Sequence, residues 1–365
     1  MTPPVSPERI AKALAAVPVL DGADVTGPHL AATPDTVSWG WMPSGADRPV
    51  LEVAPGDVVS IDTVSHEGIL GDQGRDPVRF FGGFGVPADA VLSDAAAIAA
   101  CGLPHDPLAD GPHVVTGPVA VTGAEPGDVV SITVLDLVPR VPYGIVSSRH
   151  GLGALPGEVI GDDPVFSAFC LVEDGAGSIA LRGEDPETRA RFPLAPFLGF
   201  VGVAGSERIH SVAPGVHGGN IDVRLLGVGT TLHLPVAVPG ALVAVGDPHF
   251  AQGDGEVALT AFEAPLRATL RLDLVPAAEV PERFGTLSGP LGETPELWVP
   301  IGLDPDLDEA MRDAVRRSID LLGHRYGMDR RQAYAYLSVA TDYAVSQVVD
   351  GTKGVHGTIR KADFG

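Results

Sequence analysis

The sequence is poor in cysteine, in basic residues and in aromatic side chains. Its two cysteines, Cys101 and Cys170, have no C-x-x-C spacing, which argues against a disulfide scaffold or a zinc ribbon and favours buried free thiols. Only 24 lysines and arginines stand against 47 aspartates and glutamates, so the formal net charge is −23. A surface that negative repels phosphate backbones and anionic lipids, so we expect neither nucleic acid nor a membrane as a partner.

Several sequence patterns of well-known enzyme classes are also missing. The chain has no G-x-S-x-G elbow, no phosphate loop and no G-x-G-x-x-G that opens a helix after a strand. No apolar stretch reaches the length of a membrane span without glycine, proline or charge. The N-terminal residues lack the charged and apolar regions of an export signal. We therefore expect a cytoplasmic protein that is neither a serine hydrolase of that type nor a nucleotide-binding enzyme.

Glycine and proline, by contrast, are abundant, at 46 and 34 residues, which is typical of short strands joined by tight turns. One such pattern occurs three times, at residues 55–61, 126–132 and, less closely, 239–245. Each copy joins a Pro-Gly turn to a short run that favours a strand. The near identity of the first two copies favours a duplicated β unit. The alternative is three strands that share only their turn chemistry.

Further strands are predicted at residues 231–238, 257–262 and 267–274. In the last of these, polar and apolar side chains alternate strictly, as a strand with one solvated face requires. Between residues 144 and 177 the chain is rich in glycine and interrupted by proline, so we expect long connections there.

The pattern changes to a helical one near the C-terminus. A strand at about 297–303 precedes a helix predicted to begin at Asp304-Pro305, and a second helix is predicted from Asp329 to Gly351. The second helix would carry Asp342 and Gln347.

These elements predict a mainly β protein with a smaller α+β part at its C-terminus. We expect a first β-lobe at residues 1–140, a second β-lobe with the functional site at 141–275, and the α+β part with two helices at 276–365.

Polar residues concentrate between residues 214 and 263 more than packing requires. The first group is His217, the pair Gly218-Gly219, Asn220 and Asp222. Consecutive glycines let the backbone approach a ligand closely. For this group alone, a simple turn with Asn220 in a left-handed conformation is the alternative interpretation.

The second polar group contains Asp247, His249, Gln252 and Glu256. In an extended chain the first two side chains point to the same face, and Pro248 favours that extended form at Asp247. Gly253-Asp254-Gly255 predicts a reversal that brings Glu256 back beside Gln252. Convergent Asp, His and Glu side chains are typical of a metal site with nitrogen and oxygen ligands. A hairpin with a hydrogen-bonded histidine–carboxylate pair is the alternative.

These residue types suit the activation of water on a divalent ion. We expect Asp247 and His249 to be catalytic ligands, and Glu256 to take the proton of the water and deliver it to a leaving amine. Asn220 and Gln252 would hydrogen-bond a small polar substrate.

An earlier part of the chain offers one more acid. Asp62, at the end of the first repeated strand, is a candidate ligand from a distant segment. His66 and Glu67 follow it, and for Glu67 a solvated loop is the simpler interpretation.

Together these residues resemble a known family, the acetamidase/formamidase family. The resemblance is carried by His217-Gly218-Gly219-Asn220-x-Asp222 and by Gly246-Asp247-x-His249-x-x-Gln252-Gly253-Asp254-Gly255-Glu256. It extends from about the first repeat to the C-terminus, through further similar strings at Thr116-Gly117-Pro118, Leu234-Pro235-Val236 and Val345-Ser346-Gln347-Val348-Val349-Asp350.

The resemblance implies β-sandwich-like lobes with an α+β tail, assembly into a homo-oligomer (a dimer or higher), and hydrolysis of formamide, acetamide or similar short linear amides to ammonia and a carboxylate. It implies a divalent metal ion, zinc or calcium. It also brings His217, as a substrate-binding residue, and Asp222, as a metal ligand, into the same site. The segment 62–67 departs from the family pattern, which leaves a larger amide substrate open.

Two other classes of function fit the same residues. One is a cupin-like oxygenase with histidine and carboxylate ligands on iron. The other is a non-catalytic β protein that binds a small polar ligand. The density of carboxylates argues against the second class, because a neutral ligand needs no such concentration of acids.

Overall fold

The computed structural model describes residues 4–22, 25, 27–107, 109–161 and 164–365. This part of the chain forms six α-helices and 21 strands. The helices are α1 (Pro7–Ala16), α2 (Pro77–Gly82), α3 (Ser93–Ala100), α4 (Val280–Phe284), α5 (Leu307–Tyr326) and α6 (Arg330–Ala340). The strands are β1 (His29–Leu30), β2 (Val37–Trp39), β3 (Trp41–Met42), β4 (Leu51–Val53), β5 (Asp57–Asp62), β6 (Val114–Val121), β7 (Val129–Pro139), β8 (Tyr143–Arg149), β9 (Val165–Glu173), β10 (Ala176–Arg182), β11 (Asp185–Pro193), β12 (Phe197–Val203), β13 (Ile209–His210), β14 (Gly218–Asn220), β15 (Thr231–Pro235), β16 (Val243–His249), β17 (Leu266–Val275), β18 (Leu291–Glu293), β19 (Leu297–Asp304), β20 (Asp342–Gln347) and β21 (Lys353–Arg360).

Most of these strands belong to two large sheets. A nine-stranded sheet has the order β1-β5-β17-β7-β15-β18-β19-β21-β20, and a six-stranded sheet has the order β14-β12-β16-β6-β2 with β4 beside β6. A four-stranded sheet, β11-β10-β9-β8, and a short pair, β13-β3, complete the set in the described part of the chain. The β1–β5 and β4–β6 pairs are parallel, whereas both neighbours of β17 run antiparallel to it.

All three copies of the repeated turn lead into strands, as predicted. The first two copies become β5 and β7, which flank the predicted alternating strand β17, while the third becomes β16 in the other large sheet. In β17 the buried and partly exposed positions alternate over most of the strand. The prediction that this chain is mainly β is therefore confirmed.

The main core lies between the two large sheets. Apolar side chains of β5 and β17 in the nine-stranded sheet, such as Ile61 and Leu270, join the same buried cluster as Val203 of β12 and Val245 of β16. Burial of such β-branched and aliphatic side chains is the main favourable contribution to folding. The result is a sandwich whose six-stranded layer carries the site described below.

The C-terminal part packs two helices on the end of the nine-stranded sheet, as predicted. The first helix is capped by Asp306 rather than Asp304, because the Asp306 carboxylate accepts from the backbone N–H of Glu309. The second is capped by Asp329, as predicted.

The predicted end of the second helix at Gly351 is wrong. The helix ends at Ala340, and Asp342 and Gln347 lie on strand β20. Thr341 already has an extended backbone, and the β-branched and aromatic residues that follow pair with β21. Apolar residues spaced by four fit a helix, but they fit one face of a strand equally well.

Two other predictions about strands are wrong in opposite directions. Residues 144–177, expected to be long connections, include much of β8 and β9 and the start of β10. Residues 257–262, expected to be a strand, form turns and irregular backbone after β16. In both segments, tertiary pairing overrides the local glycine and β-branched composition.

Strands from all three predicted lobes pair in the nine-stranded sheet, so the lobes share that sheet. The division at residues 140 and 275 stays a prediction. Among the described residues, none of the helices combines the length and the apolar character needed to cross a bilayer.

Candidate active site

The polar groups predicted from the sequence meet at the C-terminal end of β16. Asp247 and His249 are on this strand and are buried, and His249 Nε2 lies 3.0 Å from Asp247 Oδ2. Asp222 follows β14, and its backbone N–H donates to the carbonyl of Gly199 on β12 at 3.3 Å. Because β12 pairs with both β14 and β16, it brings the two polar segments side by side.

Gly199 is the position at which these segments come closest. A Cβ atom at Gly199 would stand 2.5 Å from Asp247 Oδ2 and 2.8 Å from His249 Cε1, and would also collide with Asp222. The side chains of the cluster therefore lie directly against the backbone of Gly199. Only glycine leaves the space that they occupy.

Three acids of the cluster have left-handed backbones: Asp222 at φ 49°, Asp247 at φ 50° and Glu256 at φ 47°. Such a conformation is unfavourable for non-glycine residues, and strained residues of this kind concentrate at functional sites. The expected extended backbone at Asp247 is thus wrong, although its side chain still reaches His249.

The backbone that leads to Glu256 also differs from the predicted hairpin. Its N–H donates to the carbonyl of Gly253 at 3.2 Å, and the neighbouring Gly255 forms a bridge with Gln347 of β20 instead of an antiparallel ladder with Gln252. The carboxylate is nonetheless buried in the cluster, with ligand atoms near those of Asp222 and His249.

Two further acids join the cluster that the sequence reasoning did not identify. Glu263 Oε1 lies 3.0 Å from His249 Nε2, and Asp350, in the turn between β20 and β21, groups with Asp222 and Glu256. Both are buried. A carboxylate between the apolar residues Phe262 and Ala264 was the available signal for Glu263.

Two histidines were also missed as site residues. His66 Nδ1 lies 3.6 Å from Asp247 Oδ1, and His113 Nε2 lies 3.7 Å from the same oxygen. Both rings are buried. His66 follows β5 and His113 precedes β6, so they enter from segments far away in sequence.

The interpretation of Glu67 as part of a solvated loop is wrong, because this side chain is buried. Glu67 accepts a hydrogen bond from Ser147 Oγ at 2.6 Å, pairs with Arg149 and lies 3.3 Å from His66 Nε2. Arg149 balances the charge of this carboxylate, which lies beside Nε2 of His66.

Gln252, expected to bind substrate, instead fixes the orientation of His249. Its amide nitrogen donates to the carbonyls of Asp222 at 2.9 Å and Ser346 at 3.2 Å. Its oxygen therefore faces His249 Nδ1, at 3.0 Å, and accepts the proton on that atom. In the neutral ring, the lone pair is then on Nε2, which points into the cluster.

Asn220 is buried beside the cluster, with an amide oxygen that makes no hydrogen bond among the described residues. Its amide group lowers the pKa of the Asp350 carboxyl, against the larger effect of burial. The His217 ring packs instead over Gly215 and Gly219 of its own turn, and burial lowers its pKa to about 4. Its role in substrate binding stays a prediction.

Asp62 lies outside the cluster, which corrects the prediction that it is a metal ligand. Both of its oxygens accept from Arg267, at 2.6 and 2.9 Å, and His29 Nε2 lies 3.0 Å away. Although burial alone would raise the pKa of Asp62, the hydrogen bonds and charge of Arg267 and the charge of Arg140 lower it. A carboxylate paired in this way stabilises the fold, and Asp62 is absent from the groups of described residues that could hold an ion.

We expect Asp62→Asn to lower the melting temperature by roughly 6 °C, because loss of one partner from a buried pair costs about 3 kcal/mol. Bound metal should be unchanged. The stability difference from wild type should be full at neutral pH and should shrink below about pH 4, because the lowered pKa stabilises the fold only where the carboxyl is ionised in the unfolded chain. Calorimetry and metal analysis check this, with the exposed Asp342→Asn as control. Loss of metal in Asp62→Asn alone would restore Asp62 as a ligand.

The electrostatics of the cluster depart strongly from those of exposed groups. Burial, with the charge of Glu256, raises the pKa of Asp222 well above its ordinary value, and burial raises that of Asp350 to about 8. Burial lowers the pKa of His113 to about 4. In contrast to His113, the pKa of His249 is raised, because the charges of Glu263 and Asp247 outweigh the effect of burial.

The residues present fit a metal ion. Four overlapping groups of histidine and acid side chains bring their potential ligand atoms within 4.8 Å of one another. Several of these buried atoms have no hydrogen bond among the described residues: both oxygens of Asp222, Asp247 Oδ1, Glu263 Oε2, Asp350 Oδ2, His66 Nδ1 and His249 Nε2. Buried polar atoms are ordinarily satisfied, so this concentration indicates that a cation belongs among them.

Comparisons with known proteins find one family over this segment of the chain. The model of the Acetamidase/Formamidase family matches residues 201–283, the segment that contains Asp222, Asp247, His249 and Glu256. The protein of Schizosaccharomyces pombe named "Putative formamidase" is 31% identical, over 40% of this chain and 47% of its own length. This alignment thus spans about half of that relative.

Two further proteins extend the similarity over more of the chain. The acetamidase of Mycolicibacterium smegmatis is 26% identical over 62% of this chain and 73% of its own. The crystal structure of an acetamidase from Bacillus halodurans superimposes with a TM-score of 0.70 at 26% identity, covering 92% of this chain and 98% of the other. By its fold and by the segment that carries the cluster, the chain is similar to proteins of the acetamidase/formamidase family.

Proposed function

We propose that this chain hydrolyses the C–N bond of short linear amides, such as formamide and acetamide, to ammonia and a carboxylate. The observation that carries the proposal is the convergence of Asp222, Asp247, His249 and Glu256 in one buried cluster. The similarity to named acetamidases and formamidases supports the amide bond as the target.

Asp222, Asp247 and His249 would hold a divalent ion. When bound there, the ion would lower the pKa of a water molecule and polarise the carbonyl oxygen of the amide. Gln252 keeps the proton of His249 on Nδ1, so that Nε2 remains available as a donor atom. This positioning role replaces the substrate contact that we expected for Gln252.

Glu256 would act as the general base and then as the general acid. Its carboxylate takes a proton from water as the new C–O bond forms, and returns it to the amide nitrogen as the C–N bond breaks. Burial, together with the charge of Asp350, raises the pKa of Glu256 despite the opposing effect of His249. A raised pKa makes this carboxylate a stronger base than an exposed glutamate.

Asn220 would position the leaving group. Its unpaired amide oxygen can accept a hydrogen bond from the –NH₂ of the substrate. Beside Glu263 lies a small cavity of about 20 Å³ with an apolar lining that includes Phe81, Leu92 and Tyr143. That volume is comparable to one water molecule or methyl group and supports a short acyl group.

The proposal predicts ammonia release from formamide and acetamide, with slower release from benzamide, because an aromatic ring exceeds the small cavity. A chelator should abolish the release, and added zinc should restore it. The assay measures ammonia over a panel of aliphatic and aromatic amides. If the metal-loaded protein released no ammonia from any of them, the proposal would be refuted, and ligand binding without turnover would favour the non-catalytic alternative.

Three finer proposals accompany this function. We propose zinc or calcium as the ion, since histidine donors suit the first and the many carboxylates suit the second. We propose a homo-oligomer, as the family resemblance implies, which light scattering would test. We also propose a cytoplasmic location, which the free thiols Cys101 and Cys170 support. Iron with oxygen uptake, in contrast, would favour the oxygenase alternative.

A further inference from the structure

We propose that Phe81, Leu92 and Ala95 set the length of the acyl group that the site accepts. These residues line the apolar cavity beside Glu263, and we assign this cavity to the methyl group of acetamide. The hydrogen of formamide leaves the cavity unfilled, and a longer acyl chain exceeds it. This inference rests on the amide hydrolysis proposed above and adds the residues that decide which amide fits.

The cavity adjoins the polar cluster at two acids. Glu263 lines the cavity and also places Oε1 3.0 Å from His249 Nε2. Glu67 lines it as well and lies 3.3 Å from His66 Nε2. The acyl substituent of an amide is one bond of about 1.5 Å from the carbonyl carbon. An amide bound beside His249 can therefore place that substituent in the cavity.

The volume of the cavity limits what it can hold. At about 20 Å³ it has room for one group of the size of a methyl group or a water molecule. Butyramide carries two carbon atoms more than acetamide, and the close-packed wall has no free space for them. The cavity therefore fits acetamide better than any longer linear amide.

The polar part of the wall favours a methyl group over water. Glu67 accepts a hydrogen bond from Ser147 Oγ at 2.6 Å, and Tyr143 Oη donates to the carbonyl of Ala90 at 2.8 Å. A buried water molecule ordinarily has about two to four polar partners. Among the described residues of the lining, Glu263 Oε2 is the one buried side-chain atom without a hydrogen bond. Water would thus be poorly satisfied here, whereas a methyl group needs no such partner.

The apolar part of the wall is separate from the reacting groups. Phe81 lies on α2, Leu92 directly precedes α3, and Ala95 lies on α3. All three side chains are buried, and none belongs to the groups of acids and histidines that could hold an ion. Val64, from the segment 62–67 that departs from the family pattern, lines the same cavity. Changes at this wall should therefore alter the choice of amide without removing a group that takes part in the reaction.

Ala95→Val tests the inference by filling the cavity. Its two added methyl groups occupy the space that the methyl group of acetamide needs. We expect kcat/KM for acetamide, divided by that for formamide, to fall by about 10-fold. Ala99→Val is the matched control, because Ala99 is buried one turn further along α3 but does not line the cavity. Ammonia release from the two amides gives the ratio, and a melting curve confirms that each variant is folded.

Phe81→Ala should have the opposite effect by enlarging the cavity. We expect kcat/KM for butyramide, divided by that for acetamide, to rise by at least about 10-fold. Phe84→Ala removes the same ring from the same apolar core, but Phe84 does not line the cavity, so its ratio should equal that of wild type. If an alanine variant does not fold, Phe81→Leu and Phe84→Leu provide the same comparison with a smaller loss of volume.

The outcomes separate this inference from the proposed function. Ammonia release with wild-type ratios in both the Ala95 and the Phe81 variants would overturn the inference and leave amide hydrolysis standing. Absence of ammonia release from every amide would refute the proposed function, and titration calorimetry would then test the cavity alone. An affinity for acetamide that Ala95→Val weakens by about 10-fold relative to formamide supports the inference. Equal effects on the two amides contradict it.

Discussion

Glu256→Gln is expected to reduce kcat for acetamide by roughly 10³-fold while bound metal stays at the wild-type level. Glutamine has nearly the same shape as glutamate but cannot accept the proton of the attacking water. Only 7% of Glu256 is exposed, so no water molecule can easily take over its position as base. The comparison requires ammonia release and metal content to be measured on the same preparations.

The control for this variant is Glu282→Gln, which changes an exposed carboxylate far away in the sequence and should retain full activity. The two measurements separate three roles of Glu256. Loss of metal along with activity would identify it as a ligand. Wild-type activity with metal bound would exclude it as the base and would direct attention to Glu263, the other acid beside His249.

Gly199→Ala is expected to have a comparable effect without changing any charge. The added methyl group would lie 2.5 Å from Asp247 Oδ2 and would collide with Asp222 as well. A real methyl group keeps more than 3 Å from such atoms, so both carboxylates must move. A displacement of about 1 Å at reacting groups can reduce rates by 10²-fold or more. We expect a folded protein that binds metal poorly and releases ammonia at least 10²-fold more slowly.

Gly82→Ala is the matched control, because a Cβ atom at that helical position meets nothing within 4 Å. Circular dichroism and metal analysis distinguish loss of the site from loss of the fold. Wild-type metal content and kcat in Gly199→Ala would show that the carboxylates do not need to lie against the β12 backbone.

Local sequence was sufficient to identify the acids that lie on continuous segments of chain. Asp222, Asp247, His249 and Glu256 belong to two short polar strings, and their density exceeds what packing requires. The sequence predicted which residues belong to the cluster more accurately than it predicted their backbone conformations. Asp247 and Glu256 have left-handed backbones, which local propensity disfavours and which only tertiary contacts can impose.

Residues contributed by distant segments could not be identified in the same way. His66, His113 and Asp350 lie far in sequence from Asp247, so no local spacing marks them as members of the same cluster. Gly199 lies in a strand of apolar residues, and its role depends on strand pairing between β12 and β16. The opposite error occurred at Asp62, which looks available in sequence but is paired with Arg267 in space.

The fold was predictable to a similar extent. Turn chemistry located β5, β7 and β16, and alternation located β17, because both signals are local. The β20 segment was assigned to a helix because Thr341 and Val345, four residues apart, fit one face of either a helix or a strand. Its strand character comes from pairing with β21, a long-range interaction.

The position of Asp350 has a consequence for how the protein is made. This residue connects β20 to β21 near the end of the chain, yet its carboxylate groups with Asp222 and Glu256, and the same cluster includes His66 from the first quarter of the chain. A ribosome must therefore synthesise the chain from His66 to Asp350 before the cluster can close. High contact order of this kind slows folding, so the cluster is completed in a late step rather than lobe by lobe.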